Sequence, residues 1–199
     1  MAETMTTDLE AVNSMLACVG EAPINTIVGN FPANIQIAID LLRTTSRAVQ
    51  MVGYNFNTEE NVELSLDSNG KIPLPSNCLD IDITTEQWGI EPVQRGLFLY
   101  DKQNHTFVFT ASIKCTIKYF LPWTDLNEPT RNYIKVKAAR IFQDQTVGSG
   151  EHHQYTAGDE AAALVAFESS DMENEDANIF QNWDVVSILA RRRPLITQF

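Results

Sequence analysis

Carboxylates are the most numerous side chains that could do chemistry in this 199-residue chain, with 26 Asp and Glu against 14 Lys and Arg. Glycosidases use two carboxyl groups at a fixed separation to cleave a glycosidic bond. Asp80 and Asp82 form the clearest pair, but they alternate with apolar residues, so we expect both on the solvent face of one strand. Because sequence does not give the separation of two carboxyl groups, a hydrolase that uses surface carboxylates stays an open alternative.

The histidines match no metal site. His152 and His153 follow Glu151 in a segment that the flanking glycines predict to be a solvent-exposed loop. Adjacent residues do not share a helix face, and no second pair of ligands stands at a suitable spacing. His105 falls at the tip of a predicted hairpin, so we interpret it as a turn residue.

The possible nucleophiles also lack a catalytic pattern. The chain contains neither a G-x-S-x-G elbow nor a glycine-rich phosphate loop. Cys18, Cys78 and Cys115 are far apart and odd in number, which favours reduced, mostly buried thiols in a cytosolic setting over a disulfide framework. We therefore predict no catalytic residue, no metal site and no cofactor.

The negative net charge limits the classes of partner that the protein could bind. The formal charge is −12 and the isoelectric point is near 4.6, whereas binding to nucleic acid requires a basic surface. An acidic wall can instead face DNA as a surface to which DNA does not adhere. The first twelve residues hold no basic residue and no apolar run, and no stretch approaches eighteen apolar residues. We expect neither a signal peptide nor a membrane span.

Two amphipathic helices are predicted at the start of the chain. Thr7 and Glu10 have the spacing of a capping box, and Gly20 has the position of a helix-ending glycine. A second helix is predicted from Pro32 to Val52, with a wide apolar face that indicates packing on more than one neighbour. The first helix carries an apolar stripe at three- and four-residue spacing, formed by Leu9, Val12, Leu16 and Val19.

Alternating apolar residues between 55 and 120 predict five or six short antiparallel strands. An Asn-Gly turn is expected at Asp67–Gly70, and residues 97–100 and 106–109 are expected to pair as a hairpin. Apolar and polar residues alternate most regularly in residues 113–119. We predict an antiparallel β-sandwich or small barrel.

Helical periodicity returns from Pro129 to Val147 and, after the glycines at 148 and 150, from about Thr156 to Asn178. The predicted class is therefore α+β, a four-helix bundle-like domain with an inserted β domain and a C-terminal arm. The expected divisions are residues 1–54 (helices 1 and 2), 55–121 (β domain), 122–180 (helices 3 and 4) and 181–199 (arm). The fourth helix is rich in carboxylates, which indicates either a solvated face or a negative wall within an assembly.

The C-terminal segment supports two interpretations. Three arginines are followed by apolar residues, which is not typical of a freely solvated tail. The segment either packs on its own domain or is an arm that becomes ordered on a neighbouring subunit or partner. In the second case its guanidinium groups pair with carboxylates. The residues that carry this expectation are Arg191, Arg192, Arg193, Leu195, Ile196 and Phe199.

The order of these motifs resembles the tail tubular protein A family, the head-to-tail adaptor (gatekeeper) proteins of short-tailed bacteriophages. The resemblance covers nearly the whole chain. The segments that carry it are AVNSMLACVGEAPINTI at 11–27, residues 33–53 with the following YNFNTEE at 54–60, IPLP at 72–75, PTRNYIKVKAARIFQ at 129–143, and the acidic fourth helix.

The resemblance implies a structural virion protein without a cofactor or a required metal. Such a protein is made in the host cytoplasm and forms a twelve-subunit ring in the virion tail, with no role at a membrane. The ring joins the portal protein to a tail nozzle of the tail tubular protein B type and helps to anchor tail fibres. Double-stranded DNA leaves through its channel without specific binding.

A ring of this kind suggests roles for two groups of residues. We expect the arm residues at 191–199 to bind the portal, and acidic side chains to line the channel, where they would repel phosphates. The expected channel residues are Asp80, Asp82, Glu168, Asp171 and Glu175. A tail-associated polysaccharide hydrolase and a small cytosolic binding domain are the competing hypotheses.

Overall fold

The computed structural model describes residues 5–83, 89–148 and 150–174, which form an α+β fold as predicted. In these residues the β-strands lie in two antiparallel sheets that do not close into a barrel. The elements, in chain order, are α1 (Asp8–Cys18), α2 (Ala33–Met51), β1 (Thr58–Leu64), β2 (Cys78–Asp82), β3 (Pro92–Arg95), β4 (Phe98–Asp101), β5 (Ile113–Tyr119), α3 (Glu128–Thr146) and α4 (Gly150–Asn174).

The capping box that begins α1 is confirmed. The Thr7 hydroxyl accepts a hydrogen bond from the Glu10 amide at 3.1 Å, and the Glu10 carboxylate accepts one from the Thr7 amide at 2.7 Å. The bond from the Thr7 amide lowers the pKa of the Glu10 carboxyl, and the Thr7 hydroxyl contributes in the same direction. Beyond the helix, Gly20 has a φ of +77°, the left-handed conformation that favours glycine. Asn13 then holds the loop against α1, since its side chain binds the amide of Ile24 at 2.8 Å and its carbonyl at 3.0 Å.

The helical core is built around α3. This helix contacts α1, α2 and α4, and its Ile134 and Ala138 are fully buried. From α1, Val12 and Leu16 pack into the same cluster, which confirms the predicted inward stripe at these two positions. Because α3 lies among the other helices, α2 and α4 each keep one face that α3 does not cover.

A buried guanidinium anchors the residues before α1 to the start of α3. Arg131 is 5% exposed and donates to the carbonyl oxygens of Leu126 at 2.8 Å, Thr124 at 2.8 Å and Thr6 at 3.0 Å. Thr6 also binds the Glu128 carboxylate through its amide at 2.8 Å and through its hydroxyl. Three oriented carbonyl dipoles thus solvate a charge that is costly to bury alone.

The central strand of the larger sheet is β5, which pairs with β1 on one side and β2 on the other. Ile113, Cys115 and Ile117 are fully buried, which confirms the alternation read from this segment. The Asn-Gly turn after β1 does not join two paired strands, because β1 and β2 both pair with β5. Leu99 of β4 packs into the same buried cluster as β5, so the two sheets share one core.

The predicted hairpin of residues 97–100 with 106–109 is wrong. β4 pairs instead with β3, from Pro92 opposite Asp101 to Arg95 opposite Phe98, and only one bridge joins Asp101 to Thr106. The other edge of β4 is taken by residues 72–74, since the Leu74 amide donates to the Leu97 carbonyl at 2.8 Å and the Leu99 amide to the Ile72 carbonyl at 3.0 Å. Asp101, which ends β4, is 2% exposed, and its carboxylate accepts hydrogen bonds from the turn and from the Glu91 amide. Burial opposes the charge of Asp101, but the bonds from the Glu91 amide and Asn104 lower its pKa overall. His105 lies in this turn, as predicted.

The fourth helix begins earlier than predicted, at Gly150 instead of about Thr156. Gly148, with a φ of +64°, ends α3 after the amide of Val147 binds the Gln143 carbonyl at 2.8 Å. The expected loop around His152 and His153 is therefore wrong, because α4 includes both residues. Gly148 follows α3 and Gly150 begins α4, so these glycines lie in a short connection between the two helices and not in a longer loop.

The helical core and the β region meet at two buried amides, Gln50 and Asn57. The Gln50 side chain accepts a hydrogen bond from the Leu121 amide at 2.7 Å and donates to the Leu121 carbonyl at 3.1 Å. Asn57 donates to the carbonyls of Gln50 at 2.8 Å and Tyr119 at 2.9 Å. The end of α2, where the chain enters the β region, is thereby tied to residues 119–121, where the chain leaves it.

We predict that Gln50→Leu lowers the free energy of unfolding by about 3 kcal/mol, because the polar groups of Leu121 lose their partner. The matched control is Gln36→Leu, which removes an exposed glutamine from the same helix and should change stability by about 0.5 kcal/mol or less. Urea unfolding monitored by circular dichroism measures both variants. Equal losses in the two variants would contradict a role for the junction.

Candidate interaction surfaces

The structure places the predicted channel residues in different surroundings. Asp80 and Asp82 are both exposed on β2, as predicted, and Asp80 Oδ2 lies 3.1 Å from Lys118 Nζ. Glu168 is exposed on α4, whereas Asp171 is partly buried. Glu175 and the arm residues Arg191, Arg192, Arg193, Leu195, Ile196 and Phe199 lie outside the described residues.

Asp171 has a structural role that the sequence did not reveal. Its carboxylate accepts hydrogen bonds from the backbone amides of Asn55 at 3.0 Å and Phe56 at 3.3 Å, in the 3-10 turn that follows α2. These bonds attach the later part of α4 to the beginning of the β region. No sequence pattern announces such a contact, because its partners are backbone amides 115 and 116 residues away.

An aromatic cluster attaches α4 to the rest of the helical core. Phe167 is 1% exposed and stacks on Tyr133 of α3, with 5.4 Å between ring centroids and an interplanar angle of 6°. Its ring also meets Tyr54 edge to face at 4.5 Å and Phe56 at 6.1 Å. Burial raises the pKa of the Tyr54 hydroxyl, and the charges of Glu168 and Asp171 contribute in the same direction.

A second attachment of α4 to α3 is electrostatic. The Glu160 carboxylate pairs with the Arg140 guanidinium and lies 3.7 Å from Lys137 Nζ. Arg140 also lies 3.1 Å from Asp144, one turn further along α3. The hydrogen bond to Glu160 is the main reason why the pKa of Arg140 is raised. At 16% exposure of its side chain, Glu160 is shielded from water more than a typical surface ion pair.

The thiols of the described residues are not activated. Burial raises the pKa of Cys115 to about 11, with a further contribution from Cys78, and burial also raises the pKa of Cys18 and Cys78. A reactive cysteine requires the opposite shift. Exposure differs among the three, since Cys18 is exposed, Cys78 is intermediate and Cys115 is buried, so only part of the predicted burial is found.

Within residues 5–83, 89–148 and 150–174, no group of three or more His, Cys, Asp and Glu side chains could hold a metal ion. The same ranges contain no helix that is both long and apolar enough to cross a bilayer. A pocket of about 310 Å³ opens between α1, α2 and the segment after β5. Its walls are mainly apolar, with Val12, Leu42 and Trp123 among them, and its charged groups are Asp8, Arg43 and Arg47.

The outer face of α2 carries apolar side chains at spacings of four and three residues. We call this set the α2 stripe: Ile37, Leu41, Thr44, Ala48 and Met51. Ile37 is 49% exposed and Met51 is 52% exposed, and Leu41 is partly buried. The Thr44 hydroxyl donates to the Asp40 carbonyl of its own helix at 3.0 Å, so this residue needs no polar partner outside the helix. The stripe confirms that the apolar surface of α2 extends beyond the core.

The outer face of α4 carries a second row at the same spacing, made of small and apolar residues. We call this set the α4 stripe: Gly158, Ala162, Val165, Ser169 and Met172. Val165 and Met172 are each 63% exposed. Both residues face away from Ala163 and Phe167, which are buried against the core. Large exposed apolar side chains in a row are typical of a surface that another chain covers.

The chain matches the model of a known protein family. A family model described as tail tubular protein matches residues 9–177, which is most of the chain. The match includes every strand described above and all four helices, except for Asp8 at the start of α1. A search of curated proteins finds no match to this chain.

We predict that Glu160→Gln lowers the free energy of unfolding by about 2 kcal/mol, because the charge-assisted bond to Arg140 is lost. Glu168→Gln is the matched control, since it makes the same change on the same helix at an exposed position. Urea unfolding of the two variants measures the difference. A Glu160→Gln variant as stable as the control would show that the ion pair does not hold α4 in place.

Proposed function

Because the chain belongs to the tail tubular protein family and is a structural component of a phage tail, we propose that it is the head-to-tail adaptor of that tail. In this proposal twelve copies form a ring between the portal protein and the tail nozzle, and the ring helps to anchor tail fibres. The observation that carries the proposal, beyond the family, is the pair of exposed stripes on α2 and α4. They equip one subunit with two unlike surfaces.

Two unlike surfaces are what a closed ring needs. In a ring each subunit presents one surface to the preceding copy and a different surface to the following copy. α2 packs on α1 and α3, whereas α4 packs on α3 and on the 3-10 turn after α2. The stripes are therefore separated by α3 and belong to different parts of the bundle. This arrangement supports a ring over a small monomeric binding domain.

The proposed channel surface is acidic. We assign Asp80, Asp82, Glu168, Asp171 and Glu175 to the lumen, where negative charge repels DNA phosphates and allows the duplex to slide. The exposed carboxylates of Asp82 and Glu168 support this assignment. Asp80 contributes less negative charge because Lys118 lies beside it. The Asp171 carboxylate in this proposal also accepts a hydrogen bond from the Asn55 amide.

We infer a role without catalysis. The best-placed acidic groups already have structural partners, since Asp101 holds the turn after β4, Glu160 pairs with Arg140 and Asp171 binds backbone amides. The alternative, hydrolysis of a capsule or cell-wall polysaccharide, requires a carboxyl pair that is free to act on a sugar. Release of new reducing ends from host polysaccharide by the purified protein would favour that alternative.

The C-terminal residues complete the proposal. We propose that Arg191, Arg192 and Arg193 pair with portal carboxylates, while Leu195, Ile196 and Phe199 pack into an apolar portal site. Support comes from residue types alone: a cluster of guanidinium groups next to apolar side chains suits a segment that binds a partner.

We predict that the protein, mixed with portal rings of the same phage, forms a twelve-fold ring on them. Electron microscopy with image averaging measures the symmetry, and a map at side-chain resolution locates the carboxylates. A lumen dominated by Lys and Arg would contradict the channel assignment. A protein that stays monomeric beside intact portal rings would contradict the adaptor role itself.

We predict that deletion of residues 191–199 weakens co-sedimentation with portal rings and leaves the unfolding of the subunit unchanged. Replacing Arg191, Arg192 and Arg193 together by Ala separates the contribution of charge from that of the apolar residues. Unchanged co-sedimentation of the truncated protein would rule out the arm as a portal contact.

A further inference from the structure

We propose that neighbouring copies of this chain associate by packing the α2 stripe of one copy against the α4 stripe of the next. The inference rests on the proposed function, which requires lateral contacts but does not say which surfaces make them. It specifies an unlike, head-to-tail contact between two particular helices.

The two stripes match in length and period. Both follow the four-three-four-three spacing that forms the narrow seam between paired helices. Each stripe is about 21 Å long at a rise of about 1.5 Å per residue. Two helices can therefore pack side by side over their whole exposed apolar length.

The stripes also complement each other in side-chain size. Three of the five α2 stripe residues are large apolar side chains, whereas three of the five α4 stripe residues are small and only Val165 and Met172 are large. Large side chains on one helix fill the space above small residues on the other, which permits close approach and dense packing.

The charges beside the two stripes also favour a contact between unlike stripes. On α2, Asp40, Arg43 and Arg47 are exposed on the flank of the stripe that faces the pocket, and Asp40 pairs with Arg43 at 3.8 Å, so this flank carries one net positive charge. On α4, Asp159, Glu168 and Glu173 are exposed beside its stripe. An α2–α4 contact brings Arg47 towards carboxylates, whereas an α4–α4 contact brings like charges together. The electrostatics thus disfavour a two-fold dimer through α4 and favour an unlike contact, of the kind that closes into a ring.

The acidic residues border the α4 stripe on both sides. On a helical projection Glu168 lies on one edge and Glu173 on the other. One edge can meet the arginines of the neighbouring α2 while the opposite edge faces away from the contact. The lateral contact and an acidic lumen are therefore compatible on one helix.

Disulfide trapping tests the proposal at the centres of the two stripes, Thr44 and Val165, which meet whichever way the helices run. Cys18 and Cys78 are first replaced by Ser, because they are the native thiols that are not fully buried. Thr44→Cys and Val165→Cys proteins are prepared separately, mixed with portal rings and oxidised, and disulfide dimers are counted on a non-reducing gel. We expect dimers in the mixture and none with either variant alone.

The control pairs Val165→Cys with Gln103→Cys, an exposed position in the turn after β4, and should give no dimers. Electron microscopy of the same samples separates the possible failures. Rings without mixed dimers, or dimers formed by one variant alone, would overturn the α2–α4 contact and leave the adaptor role intact. Absence of rings with the unmodified protein would overturn the adaptor role and this inference with it.

A second measurement does not depend on cysteine chemistry. Val165→Lys places a charge in the apolar seam opposite Thr44, so we expect loss of rings without a change in the thermal unfolding of the free subunit. Val147→Lys is the matched control, because Val147 is also an exposed valine, at 51%, but belongs to neither stripe. Normal ring formation by Val165→Lys would overturn the proposal.

Discussion

The bond between the Gln50 side chain and the backbone of Leu121 is the constraint on which the arrangement of this molecule depends. The β region is inserted between α2 and α3, so its position is set by how the two ends of the insert are held. One fully buried amide satisfies both polar groups of Leu121, and Asn57 joins the same ends through the Tyr119 carbonyl. Together with the bonds from Asp171 to the amides of Asn55 and Phe56, these contacts join the helical core to the β region.

Local features were predictable from the sequence because their partners are close in the chain. The capping box of Thr7 and Glu10, the left-handed Gly20 and the alternation of β5 all follow from rules that act over a few residues. The fold class follows in turn, since helices at both ends with strands between them permit few arrangements.

Contacts that depend on backbone groups far along the chain were not predictable. The hairpin expected from residues 97–109 does not form because β3 occupies one edge of β4 and residues 72–74, more than twenty positions earlier in the chain, bind the other edge. The sequence around Asp171 does not indicate that its carboxylate binds the backbone amide of Asn55. Similarly, arginine is typical of a protein surface, and Arg131 is buried only because three carbonyl oxygens surround its guanidinium group.

The adjacency of Gln50 and Met51 on α2 has a mechanical consequence. Gln50 faces inward and holds the β region, while Met51 faces outward at the end of the α2 stripe. A lateral force on the outer face of this helix would be transmitted to the β region through Gln50, because Gln50 and Met51 are adjacent residues of the same helix. In the ring that we propose, tension between neighbouring subunits would therefore be transmitted through α2 to the β region of each subunit.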